Sequence, residues 1–264
     1  DMPSLDSTAR KFDQALQTLV AQYPETALFL LSNFQDPLFL TWCAEQSLPE
    51  ALHHSALKRQ QEFLAGRYSA AMALQQLGQN QTHALARMDD GQPAWPANYT
   101  GSITHHRGIA IAWVTPCYAY QQLALDLEGV VSLERAQKLQ TRVLHPSEHQ
   151  LGHALGYSAE LWFTLLFSCK ESIYKLLSSH AGRVMPFQSV EIIRVETVRT
   201  VRVGSQHLIS DHQPACSRLD LICRLTEAWA AEWPRDTQLS VSAVLLAEAA
   251  HPQWVLSYTA LPAV

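Results

Sequence analysis

The run Leu123-Ala-Leu-Asp-Leu-Glu128 alternates without a break, and strict alternation over six residues marks a strand rather than a helix. Successive strand side chains point to opposite faces, so Leu123, Leu125 and Leu127 share one face while Ala124, Asp126 and Glu128 share the other. Two carboxylates on one face, roughly 7 Å apart at Cα, repel unless something positive lies between them. A hard divalent cation suits that position, with water and phosphate oxygens completing its shell. A solvent-facing strand edge with two ordinary acids meets the same pattern. The run therefore predicts a strand and leaves its chemistry to the rest of the chain.

On either side the periodicity changes. Phe12, Leu16, Leu19 and Val20 are spaced for a helix within Ser4–Tyr23, and Ala27–Leu31 reads as a buried strand. Pro37–Trp42 is ambiguous. A long helix is expected from Pro49 or Ser55 to Leu77, with Gly78 as its C-cap, followed by a loop region through Thr100. Ile109–Val114 reads as a strand that could pair with Leu123–Glu128 as a neighbour. Ser132 can cap a helix to Val143, Pro146 can open a short one, and Ser158 can cap one ending near Ser178, long enough to contain a break. Strand-like alternation recurs at Val190–Val195, Val198–Val203, Leu239–Leu246 and Trp254–Tyr258, with a helix centred on Leu225–Trp233 among them. This order predicts two α+β halves, residues 1–121 and 122–264, joined near Gln121.

Three further segments carry chemistry. In Phe167-Ser-Cys-Lys-Glu-Ser-Ile-Tyr-Lys175, a helix would set Cys169, Ile173, Leu176 and Leu177 on an apolar stripe. Ser168, Glu171, Ser172 and Lys175 would take another face, with Lys170 on its flank. One acid, two lysines and small hydroxyls suit a third metal ligand beside phosphate-binding cations, although a surface helix with an i,i+4 Glu171–Lys175 pair has the same spacing. Gly101-Ser-Ile-Thr-His-His-Arg-Gly108 reads as a polar turn whose hydroxyls, histidines and arginine can bond phosphate. In Lys58–Arg67, Arg59 and Arg67 fall within roughly 80° of each other on a helix. Gly66 between them costs up to about 1 kcal/mol relative to Ala, which points to close approach of another segment or ligand.

Composition narrows the classes. A net charge of -5 over 264 residues provides no general basic field for nucleic acid. Five cysteines with no CxxC pair argue against a disulfide framework or structural zinc, and Cys169 reads as packing. No apolar run, Ala27–Leu31 included, approaches the roughly 20 residues a membrane span needs. A soluble, cytoplasmic monomer is expected. GxGxxG, Walker, GxSxG and HExxH signatures are absent from the sequence.

Taken together, the RxxxFLAGR segment (Arg59–Arg67), GSITH (Gly101–His105), LDLE (Leu125–Glu128) and FSCKESIYK (Phe167–Lys175) resemble the phosphopantetheinyl transferases of the siderophore and surfactin synthetase type, in the order expected of that family. The resemblance runs from about Arg59 to Lys175. It implies two similar α+β halves related by a pseudo-two-fold axis, with coenzyme A in the cleft between them. Asp126, Glu128 and Glu171 would ligate magnesium with the coenzyme A diphosphate. Lys170 and Lys175 would contact the diphosphate, Thr104 and His105 its phosphates, and Arg59 and Arg67 the 3′-phosphate end. Glu171 is the first choice of base and Glu128 the second, with Lys170 stabilising the departing 3′,5′-ADP. The acceptor would be a serine of an acyl or peptidyl carrier protein. Cys169 stands where the family commonly has alanine, Thr104 where it often has serine, and Leu-Ala-Leu precedes Asp126 where glycine and isoleucine are more usual; none of these changes removes a charge. A magnesium-dependent nucleotide pyrophosphatase and a non-catalytic carrier-binding module are the alternative readings.

Overall fold

The structure, a computed structural model, describes residues 5–198, 217–248 and 251–263. Helix α1 (Leu5–Gln22) buries Phe12, Leu16 and Leu19, the residues whose spacing marked it. Strand β1 (Ala27–Leu31) follows. The ambiguous stretch opens helix α2 (Pro37–Ala44): the Asp36 carboxylate accepts from the N–H groups of Leu38 and Phe39, and Pro37 takes the first helical position, where its missing N–H costs nothing. Helix α3 (Leu57–Gln76) starts later than Pro49, and Gly78 beyond it adopts the left-handed conformation expected of a helix end (φ 79°).

Strands β2 (Tyr99–His106) and β3 (Ile109–Pro116) form a hairpin, and β1 completes an antiparallel sheet in the order β1-β3-β2. Helix α3 lies on this sheet. Ala70, Ala73 and Leu74 meet Ala112 and Val114, while Ala65 and Tyr68 meet Leu31, Phe39 and Ala110. Two expectations are corrected here. Gly101–Gly108 is a strand and its hairpin turn, not a turn region throughout. Its hydroxyls face inward, with Ser102 Oγ accepting from the Leu125 N–H at 3.0 Å, so a polar sequence is satisfied inside a fold. The strand Ile109–Val114 is flanked by β1 and β2, and so does not pair with Leu123–Glu128.

Strand β4 (Tyr120–Gly129) contains the alternating run and belongs to a second sheet, ordered β4-β8-β7-β6-β5. The other members are β5 (Val190–Val198), β6 (Ser217–Leu225), β7 (Gln238–Glu248) and β8 (His251–Pro262). The chain divides into two compact units with the boundary between Asp126 and Leu127, the first also including the last residues from Ala260.

The second unit contains helices α4 (Leu133–Val143), α5 (Pro146–Leu155) and α6 (Ala159–Ala181). Ser132 and Ser158 cap α4 and α6 as expected, and Pro146 opens α5. Helix α6 runs unbroken to Gly182. The helix expected around Leu225–Trp233 is replaced by the end of β6 and a turn closed by an Ala230–Trp233 bridge. Leu225, Trp229 and Trp233 repeat every four residues, but β6 already pairs with both β5 and β7, and that ladder outweighs the local period. The expected strand Val198–Val203 falls outside the described residues beyond Val198.

Candidate active site

In the first unit, α3 and β2 assemble a basic cluster. Arg59 Nη1 donates to His105 Nε2 at 3.2 Å, and Glu62 Oε2 stands 3.9 Å from His105 Nδ1. Gly66 is accounted for, since a Cβ there would lie 2.7 Å from Ile103 Cγ2. Its absence lets β2 come close enough to set His105 against α3. Arg67 is buried, donates from Nε to the Leu85 carbonyl at 2.9 Å and lies over the Phe63 ring at 4.6 Å. Burial, and then repulsion from Arg87 and Arg59, pulls its pKa down to about 10. The Arg67 guanidinium thus lies in the field of two other guanidinium groups, those of Arg87 and Arg59. Thr104, on the face of β2 opposite His105, is buried.

Strand β4 holds Asp126 and Glu128 two residues apart, and Asp126 is buried. With Glu171 they offer only carboxylate oxygens, a donor chemistry that suits magnesium better than zinc or a softer ion. Among the described residues, no group of three His, Cys, Asp or Glu side chains is assembled closely enough to hold a metal ion.

Helix α6 is a core element rather than a surface helix, and Cys169, Ile173, Leu176 and Leu177 are fully buried. Its hydroxyls, expected on the polar face with Glu171 and Lys175, are buried. Ser168 and Ser172 are buried and both meet Ser257 Oγ at 2.8 Å, which fastens α6 to β8. Lys170, the residue expected to contact a diphosphate, is buried. Its side chain is 1% exposed, and Nζ donates to the Val143 carbonyl at 2.7 Å and to Glu148 Oε2 at 2.8 Å. Burial lowers its pKa, and the Glu148 carboxylate opposes that shift. The deciding factor is the partner, an acid 22 residues away that stands in the first turn of α5.

Glu171 and Lys175 remain partly exposed on α6. Glu171 and the buried Lys170 both help to line an apolar cavity of about 200 Å³, with Tyr174, Met185, Phe187 and Trp229. Nearby, Glu191 accepts from Ser147 Oγ and from Arg224 Nη2 at 2.5 Å. Burial alone would raise the Glu191 carboxyl, but these two hydrogen bonds hold it below the ordinary carboxylate range.

Two family models match the chain: the 4′-phosphopantetheinyl transferase N-terminal domain over residues 48–115 and the 4′-phosphopantetheinyl transferase superfamily over 122–231. The 4′-phosphopantetheinyl transferase PptT of Mycobacterium tuberculosis is 30% identical over 159 residues, covering 60% of this chain and 68% of that one. The chain belongs to the 4′-phosphopantetheinyl transferase superfamily. Enterobactin synthase component D of Escherichia coli (strain K12) is 36% identical over 146 residues. That match covers 54% of this chain and 65% of the relative's length.

Two residues escaped the sequence reading. Arg87 lies in a segment read only as loop, although the close packing of its guanidinium on Gly91, where a Cβ would meet Nη2 at 3.1 Å, shows that the loop is built around it. Glu148 offered one legible sign, its place three residues after the N-cap His145 of a proline-led helix, where an acid can complete a capping box.

Proposed function

We propose that this chain transfers 4′-phosphopantetheine from coenzyme A to a serine of an acyl or peptidyl carrier protein in a magnesium-dependent reaction that releases 3′,5′-ADP. Membership of the superfamily supports the reaction class. The observation that carries the reading further is the position of Glu171 at the wall of an apolar cavity. A carboxylate beside an apolar recess suits a base that meets a hydroxyl delivered by another protein, with bulk water kept away.

In this reading the two halves, residues 1–121 and 122–264, are related by a pseudo-two-fold axis with the reaction in the cleft between them. Arg59 and Arg67, with Arg87, take the 3′-phosphate end of coenzyme A, and His105 and Thr104 take its phosphates. Lys175 contacts the diphosphate. Asp126, Glu128 and Glu171 would hold magnesium, which when bound supplies charge neutralisation of the diphosphate. Glu171 takes the proton of the carrier serine, with Glu128 second in line. The serine Oγ forms a bond to the phosphorus bearing pantetheine, the bridging P–O bond breaks, and the electron pair leaves on 3′,5′-ADP. Lys170, engaged by Glu148 and Val143, is left out of the contact set.

The relative named enterobactin synthase component D makes peptidyl carriers of siderophore assembly the first to try. No described helix is long and apolar enough to cross a membrane; the location and assembly that go with this reading are a cytoplasmic monomer. The test is mass spectrometry of apo carrier proteins incubated with the chain, coenzyme A and Mg²⁺. The expected result is a mass gain of one phosphopantetheine on the carrier serine, lost when that serine is alanine. No gain across a panel of peptidyl and acyl carriers would overturn the transferase reading, and release of 3′,5′-ADP without any carrier would favour hydrolysis instead.

A further inference from the structure

We propose that Lys170 and Glu148 are a positioning pair: they set the rotation of α6, and thereby aim Glu171, while touching no part of the substrate. This deepens the transferase reading and rests on it.

The ammonium of Lys170 is spent on the Val143 carbonyl and on Glu148 Oε2, at 2.7 and 2.8 Å, with side-chain exposures of 1% and 0% for the two partners. Val143 ends α4, where helix carbonyls lack intrahelical donors and a cation is favoured. The carboxylate of Glu148 is equally occupied. It accepts from the His145 N–H through Oε2 and from the Ile192 N–H through Oε1, each at 2.6 Å. The end of α4, the turn into α5 and strand β5 thus converge on the Glu148–Lys170 pair, which joins α5 to α6.

A second tie runs between the same residues' neighbourhoods. Trp162 Nε1, eight residues before Lys170 on α6, donates to the backbone carbonyl of Glu148 at 2.8 Å. Eight residues are about two helical turns, so α6 is held to Glu148 at two levels. Two such ties fix both the rotation and the axial position of a helix, which one tie cannot do. Glu171 is the next residue after Lys170, about 100° round the helix, so whatever fixes Lys170 fixes the direction of the Glu171 carboxylate.

Energetics point the same way. A fully buried ion pair gives up two hydration shells and is often no more stabilising than apolar residues of equal volume. An apolar pair would fill the same space, but it would leave the Val143 carbonyl and two buried N–H groups without these partners and would let α6 turn. The use of a charged pair here is registration.

The experiment compares the full-length wild type with Lys170→Met. Mn²⁺ binding in the presence of coenzyme A is followed by electron paramagnetic resonance without any carrier, and kcat and KM for coenzyme A are measured with one. Partners behind metal ligands typically alter affinity or activity about 10-fold or more, and that loss is expected in Mn²⁺ affinity and in kcat, with KM for coenzyme A nearly unchanged. A large rise in KM with Mn²⁺ binding intact would make Lys170 a phosphate contact and overturn the proposal; so would a folded variant unchanged in all three. If Lys170→Met does not fold, Glu148→Gln serves in its place, with the same split expected and the same outcomes overturning it. Absence of any carrier modification by the wild type defeats the transferase reading, whereas the Mn²⁺ comparison still decides whether the pair aims Glu171.

Discussion

Glu171 and Glu191 are acids less than two dozen residues apart whose surroundings give them different work. Glu171 borders a cavity and is proposed as base and metal ligand, so Glu171→Gln, which keeps shape and removes charge, is expected to cut kcat by about 10²-fold or more. The thermal midpoint should stay close to wild type, because the residue is partly exposed at a cavity wall. Mass spectrometry of the carrier and a melting curve check the two halves of that statement. Glu191 is structural. Its carboxyl is held below the ordinary range by Ser147 and Arg224 against the opposing effect of burial. A depressed carboxylate pKa means that the unfolded chain binds the proton more readily. Its stabilisation is therefore complete above the unfolded value near 4.5 and is lost as pH falls through the lower folded value. Wild type and Glu191→Gln should differ in stability at pH 7, and the difference should shrink as pH drops below about 4.5. Chemical denaturation at a series of acid pH values measures it, and a gap independent of pH would sink the assignment.

Helices with a cap in their sequence were the most legible elements. Ser132, Pro146 and Ser158 mark the starts of α4, α5 and α6 because each supplies what a helix N-terminus lacks, an acceptor or a residue that needs no N–H partner. The turn after β6 was not legible, since Leu225, Trp229 and Trp233 lie four apart and satisfy a helix, whereas Leu225 ends a paired strand and an Ala230–Trp233 bridge closes the turn. The strand nature of Gly101–His106 was hidden for a related reason: its polar residues find partners that lie elsewhere in the fold. Gly66 was readable as a point of close approach, and the structure supplies the neighbour, Ile103 on β2. Gly66→Ala improves helix propensity by up to about 1 kcal/mol but forces a methyl into a contact of 2.7 Å. Overpacking of that kind costs roughly 1–3 kcal/mol, so net destabilisation is expected. Ile103→Ala removes the obstructing methyl, so the double variant should lose less than the sum of the two singles in urea denaturation. Simple additivity would mean that α3 and β2 do not meet at this point.

At the scale of the whole molecule, the acids and Lys175 of the proposed site were visible as spaced motifs, whereas the contacts proposed to support it were not. Glu148 shows in the sequence only as a capping-box acid, and its pairing with Lys170 is a contact across the fold that leaves no local period to read. The basic cluster around Arg67 gives this larger scale a direct test. A ligand present at 100 times its Kd adds about 2.7 kcal/mol of stability, which for a chain of this size corresponds to a rise in Tm of roughly 5–10 °C. Coenzyme A with Mg²⁺ is expected to produce such a rise. The 3′-dephospho form lacks the phosphate proposed to meet Arg59, Arg67 and Arg87, so at equal concentration its shift should be smaller. Arg87 is exposed, and its replacement should fold without difficulty. In Arg87→Ala the two ligands should therefore converge, with the coenzyme A shift falling toward that of the dephospho form and the latter nearly unmoved. Equal shifts for the two ligands in the wild type would detach the arginine cluster from the 3′-phosphate. Convergence in the variant alone would tie the loop around Arg87 to recognition of that end of the cofactor, because no other charge has been altered.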